Sequence, residues 1–144
     1  MIGEALVARS KQRFATATAP DGSPWRANSA VTIQNYIRSR GGFSKKTGKL
    51  LAKGEKLQAS KKPLQGTSGD LARQLHYQVA NGELLMGASM IYAAMQHFGG
   101  KKSRFANLWG DITAREFLPI TAVGDLYPSE ATTIIGRLKE YLER

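Results

Sequence analysis

Asn81-Gly82 stands between two runs, LHYQVA and ELLMGA, in which apolar and polar side chains nearly alternate. An Asn-Gly pair tolerates the positive φ angles that a two-residue hairpin turn demands at both central positions, so it sets the register of the strands on either side. With these residues as the turn, Val79 faces Leu84, Tyr77 faces Met86 and Leu75 faces Ala88, an all-apolar face. Ala80 with Glu83, Gln78 with Leu85 and His76 with Gly87 form the other. Strand side chains alternate between faces, so the first set is expected to meet the core, with His76 on the open face as a polar strand residue.

Around this hairpin the chain reads as helices, turns and one further strand. Leu6, Val7, Ser10 and Phe14 share one side of a first helix running to about residue 17, with Arg9, Lys11, Gln12 and Arg13 around the rest. Ala19-Pro20-Asp21-Gly22 suits a type I turn that stops it, and Trp25 follows as an anchor to the core. In YAAMQHFGG, residues 92–100, Ile91, Ala94, Met95 and Phe98 follow helical spacing and Gly99 can end the helix. That wheel turns Ala93, Gln96 and His97 outward and makes His97 a structural or contact residue rather than a catalytic one. Phe105, Leu108 and Trp109 in the 101–111 loop either fold back on the core or meet a neighbouring subunit. The segment around residues 112–118 reads as an edge strand before Pro119. The tail is a helix that Ser129 can cap and whose first turn suits Glu130. Its stripe of Ala131, Ile134, Ile135, Leu138, Tyr141 and Leu142 is expected to dock on the sheet. The fold class is thus α+β: a small antiparallel sheet, from a hairpin over 71–89 and a strand near 112–118, packed by N- and C-terminal helices, with a long basic loop excursion.

A chain of 144 residues has room for one domain, here 1–144. Its formal charge of +10 is concentrated: residues 26–62 carry ten bases and one acid, whereas residues 63–144 carry eight of each. Gly41, Gly42, Gly48 and Gly54 interrupt that segment and its apolar residues are sparse. A marginal helix around Leu50, Leu51 and Leu57 is conceivable, but the expectation is an extended basic arm that orders against something else. Such a patch attracts phosphates or an acidic partner; a solvated loop is the plainer reading. Tyr36 and Phe43 interleave with the bases, which allows nonspecific nucleic-acid contact, although no helix-turn-helix, zinc-finger or RNA-binding pattern is present.

Catalytic and metal chemistry find little support. There is no cysteine, so neither disulfides nor thiolate chemistry arise, and two histidines with eleven carboxylates show no metal-ligand spacing. GTSGD at 66–70 has Asp70 where a nucleophile elbow needs glycine, and it lacks the lysine of a phosphate-binding loop. Neither cofactor nor enzyme activity is expected. No apolar run is long enough to cross a bilayer and the N-terminus lacks the pattern of a secretory signal, so a soluble protein made inside the cell is expected, with no membrane partner.

Several pieces, read in order, resemble one family: PDGSPW at 20–25, KKPL at 61–64 with TSGDL at 67–71, YAAMQHFGG at 92–100 and ITAREFL at 112–118. Together they resemble the virion morphogenesis, or tail completion, family of contractile-tailed bacteriophages, related to the G protein of phage Mu and the S protein of phage P2. The matching positions include Trp25, Gly69, Leu71, Tyr92, Phe98, Gly99, Gly100, Arg115, Phe117 and Leu118. The chain departs from the family pattern at Thr67-Ser68-Gly69, Thr113 and Glu116. The resemblance implies a non-enzymatic assembly protein in the virion neck or at the head-proximal tail end, present in the host cytoplasm during assembly. It also implies copies of itself in a ring, sixfold with twelvefold as the alternative, and contacts with tail terminator or tail tube proteins and with head-proximal neck or connector proteins. Arg38, Arg40, Lys45, Lys46, Lys49, Lys53 and Lys56 of the basic arm would then make partner contacts. A module binding DNA nonspecifically is the alternative.

Overall fold

Helix α1, Ile2–Thr16, buries Gly3, Leu6, Ser10, Arg13 and Phe14 along one side, close to the spacing read from the sequence. The computed structural model describes residues 1–66, 69–108 and 110–144. Arg13 departs from expectation: it lies on the buried side, where its Nη1 donates to Ser10 Oγ at 3.0 Å and to the Phe117 carbonyl at 2.8 Å. A long cation can sit there because these acceptors replace the water it loses. After α1 the chain turns at Ala19–Gly22, with the Gly22 amide bonded to the Ala19 carbonyl at 3.0 Å, and delivers Trp25 to the core.

The chain is α+β, with six helices and a two-stranded antiparallel sheet among the described residues. Strands β1 (Leu75–Ala80) and β2 (Glu83–Ala88) pair in the register that Asn81-Gly82 predicts, from Leu75 opposite Ala88 to Ala80 opposite Glu83. Both turn residues have positive φ, 53° and 77°. The hairpin is buried only at its base. Leu75 is in the core and Tyr77 packs where a side chain on Gly3 would overlap its ring, but Val79 and Leu84 at the tip are exposed. Residues 71–73, expected as the start of the hairpin, belong to a short helix α4 (Asp70–Arg73) instead. The GTSGD turn expected there includes Thr67 and Ser68, which lie outside the described residues.

The expected strand near 112–118 is absent: Gly100 and Ile112 make one isolated antiparallel bridge, and the backbone beyond it joins no ladder. Its donors go elsewhere. The Arg115 amide bonds to the Gln96 carbonyl, and those of Phe117 and Leu118 bond to the His97 ring, so these three are taken from any neighbouring strand. The core gathers Phe14, Trp25, Leu71, Leu75, Ala93 and Phe117. Phe14 meets Trp25 and Phe117 with ring centroids 5.5 and 5.3 Å apart. Fully burying side chains of this class stabilises by roughly 1.5–3 kcal/mol each.

The chain divides into two units, residues 1–26 with 64–144, and residues 27–63. The second corrects the expectation of an extended arm over 26–62. It contains helices α2 (Ala30–Ser39) and α3 (Ala52–Ser60) joined by a tight excursion in which Phe43 bridges Leu50. Ser29 caps α2, its Oγ accepting from the Thr32 amide at 3.2 Å. The helices meet through glycine: a Cβ on Gly54 would overlap the Gly42 carbonyl, and one on Gly42 would overlap Ile37, the buried side chain of α2. Backbone in contact with backbone explains how so few apolar residues can hold this unit.

Candidate assembly surfaces

The four motif segments converge on Phe117, which is fully buried. The Trp25 indole Nε1 donates to the Glu116 carbonyl at 3.1 Å, Arg13 holds the Phe117 carbonyl, and Arg115 Nε donates to the Arg26 carbonyl at 2.9 Å. From helix α5 (Ala93–Phe98), His97 Nδ1 accepts the Phe117 and Leu118 amides at 3.1 and 3.3 Å. The Gly100 amide and carbonyl exchange bonds with Ile112 at 3.0 and 2.7 Å. Gly99, at φ 72° and ψ 175°, occupies a region open almost only to glycine, and a Cβ there would press on Ala114 N and Ile112 O. Thus Trp25, Gly99, Gly100, Arg115 and Phe117 lock a core together.

His97 is the largest departure from the sequence reading, which turned it outward. It is 0% exposed and stacks edge-on against Phe117 with centroids 5.1 Å apart. Ile91, at 100% exposure, points away instead, and Tyr92 and Phe98 are partly exposed. The helix has rotated because two backbone donors at 117–118 require an acceptor in the core, and Nδ1 supplies it. With Nδ1 accepting, the proton resides on Nε2, which is buried without a hydrogen-bond partner among the described residues. Burial pushes the His97 pKa down to about 4, with Arg13 adding to the effect and the nearby backbone of Ile120 and Thr121, too poorly placed for a hydrogen bond, opposing it. The imidazole is a neutral structural acceptor.

Helix α6, Pro128–Leu142, also differs from expectation. Tyr127 occupies the cap position with Pro128 at the first helical residue, while Ser129 donates its hydroxyl to the Pro20 carbonyl at 3.1 Å. Glu130 is the helix's buried residue: its Oε1 lies 2.7 Å from both Arg9 Nη2 and Arg13 Nη2. Burial alone would raise its pKa, but the hydrogen bonds and charges of the two arginines outweigh that and hold it below the usual carboxylate range. This ion triad clamps the first turn to α1. The stripe expected to dock on the sheet stays largely uncovered: Ile135, Leu138, Tyr141 and Leu142 are exposed, Leu142 by 80%. Arg9 and Arg13 are one turn apart on α1, a spacing that could have flagged a shared anion; nothing local names Glu130.

The basic residues gather in the second unit. Arg38, Lys45, Lys46, Lys49, Lys53 and Lys56 are exposed, and Arg40 is half-buried with its guanidinium 4.7 Å from the Tyr36 ring centre, where Lys61 Nζ also approaches to 5.0 Å. Burial and the charge of Arg40 both lower the Lys61 pKa. Residues 27–63 hold nine Lys and Arg against Glu55 alone. In the 101–111 loop Phe105 is exposed, while the Lys102 amide bonds to Asp111 at 2.8 Å; Trp109 lies outside the described residues. Among the described residues no cluster of three or more His, Asp or Glu side chains comes together to hold a metal ion.

Two uncovered surfaces, an apolar helix face and a cationic helical unit, therefore stand out from a core built by the shared motifs. No curated protein and no solved structure matches the chain. One family model does, over residues 1–143, and the chain belongs to the phage virion morphogenesis family, a family of phage structural and assembly proteins.

Proposed function

We propose that this protein is a non-enzymatic subunit of a contractile-tailed phage, acting in tail completion and head-tail joining as part of a ring at the neck or head-proximal tail end. The observation that carries the reading is the separate cationic unit, nine bases against one acid on a helical pair held by glycine contact. A protein that joins two assemblies needs a rigid body plus surfaces complementary to different neighbours, and concentrated charge steers docking and suppresses wrong pairings. The uncovered α6 face supplies a second, apolar surface suited to contact between subunits. Heterologous contacts of that kind build a ring when the rotation between neighbouring subunits closes.

The test is the simultaneous change of Lys45, Lys46, Lys49 and Lys53 to glutamate. All four are exposed, so the fold should be unaffected. Electron microscopy of infected cells should then show separate heads and tails; normal virions would overturn the reading. The Tyr36 ring flanked by Arg40 and Lys61 favours one second reading, nonspecific DNA contact, which requires duplex binding by the isolated protein that weakens steeply with salt.

A further inference from the structure

The unit of residues 27–63 holds a groove of about 410 Å³ that its own side chains leave open. Ile33 and Ile37 of α2 line it one turn apart, and Phe43 and Leu50 complete the apolar wall. Leu50 is 38% exposed there. Asn28 also lines the groove.

The charge of the unit, nine bases against Glu55, selects the occupant. Arg38 lies one turn beyond Gln34 of the groove, Lys49 precedes Leu50, and Lys61 and Lys62 follow Gln58 by three and four residues. A DNA backbone would answer these charges but put nothing apolar against Ile33, Ile37, Phe43 and Leu50. The α6 stripe of another copy would fill the groove, but residues 128–144 carry three bases and three acids, with Arg137 already paired to Glu140, and so leave the excess positive charge of the unit unanswered. A segment both acidic and amphipathic satisfies wall and rim together.

We propose that the groove is the receptor for an acidic amphipathic helix of a partner protein, its apolar side chains entering between α2 and the Phe43–Leu50 bridge while its carboxylates meet the surrounding lysines. This names the chemistry of one partner and rests on reading the chain as an assembly protein.

Fluorescence anisotropy on the full chain tests it, with a labelled peptide of about 15 residues bearing a helical leucine stripe flanked by glutamates. The same peptide with lysines for glutamates, and a short DNA duplex as competitor, are the comparisons. The acidic peptide should bind about tenfold or more tighter than its lysine counterpart, and Ile33→Gln with Leu50→Gln, which leaves every charge in place, should weaken it about tenfold. If the double variant melts early, Leu50→Gln alone should still weaken binding about threefold, and Leu50→Met should restore it. Absence of acidic-peptide binding, equal binding of both peptides, binding unchanged in the glutamine variants, or full displacement by the duplex would each overturn the proposal. Failed head-tail joining in the quadruple lysine variant alongside no peptide binding would remove the groove proposal and leave the assembly reading standing. Peptide binding with normal virions from the lysine variant would do the reverse.

Discussion

Placing a proton on His97 would turn the ring's Nδ1 from an acceptor into a donor aimed at two other donors, the Phe117 and Leu118 amides, in a site sealed from water. Burial first, and the charge of Arg13 after it, hold the pKa at about 4, against 6.5 for an ordinary histidine. Between those values the unfolded chain binds a proton that the folded chain refuses. Stability from this residue is therefore complete above pH 6.5 and falls as the pH drops towards 4, by up to about 1.4 kcal/mol per pH unit and about 3 kcal/mol in all. That is a large share of the roughly 5–15 kcal/mol that holds a domain together. Glu130 acts in a lower window: its depressed pKa contributes stability that is present above 4.5 and lost only on further acidification. Urea unfolding followed by tryptophan fluorescence, from pH 7.5 down to 4.5, should show the loss in the native protein. His97→Gln, whose amide oxygen can accept the same bonds but never charges, should be less stable at neutral pH and much flatter with pH. Parallel losses in the two proteins would refute the reasoning, as would NMR signals of the His97 ring that titrate near pH 6.5.

Glu130→Ala removes the shared anion from Arg9 and Arg13 and leaves Arg13 buried beside no carboxylate; a loss of about 3–5 kcal/mol is expected in urea titration, and one below 1 kcal/mol would show that the clamp is not structural. Gly54→Ala would gain up to about 1 kcal/mol of helix propensity at an open position, yet the new methyl overlaps Gly42 and Leu50. Hydrogen exchange should accordingly quicken in α2 and α3 while α1 and the hairpin keep their protection. Ile135→Gln with Leu138→Gln should change subunit stability by no more than about 0.5 kcal/mol per site, because both side chains already meet solvent, and should reduce the sedimentation coefficient of any assembled form. A stability loss of several kcal/mol would mean that the face is covered within the subunit.

What could be read from the chain alone was whatever neighbouring residues decide among themselves. Asn81-Gly82 dictates positive φ at two consecutive positions, and the strand register follows from geometry without help from the core. The helical spacing of residues 2–16 and 128–142 and the crowding of lysines into residues 26–62 are local in the same sense, and so are the motifs by which the family was recognised. Burial was another matter. His97, Arg13 and Glu130 are the polar residues a helical wheel assigns to solvent, and each is inside because a group far along the chain needs it: the amides of Phe117 and Leu118, the Phe117 carbonyl, the guanidinium groups of Arg9 and Arg13. The second unit misled for a related reason. Gly42 and Gly54 look like helix breakers in sequence, yet they let α3 reach the Gly42 backbone, an advantage that exists only once both segments are in place. Periodicity reports how apolar a face is, but a buried polar group is stabilised by its partner, and the partner's position is a property of the folded chain.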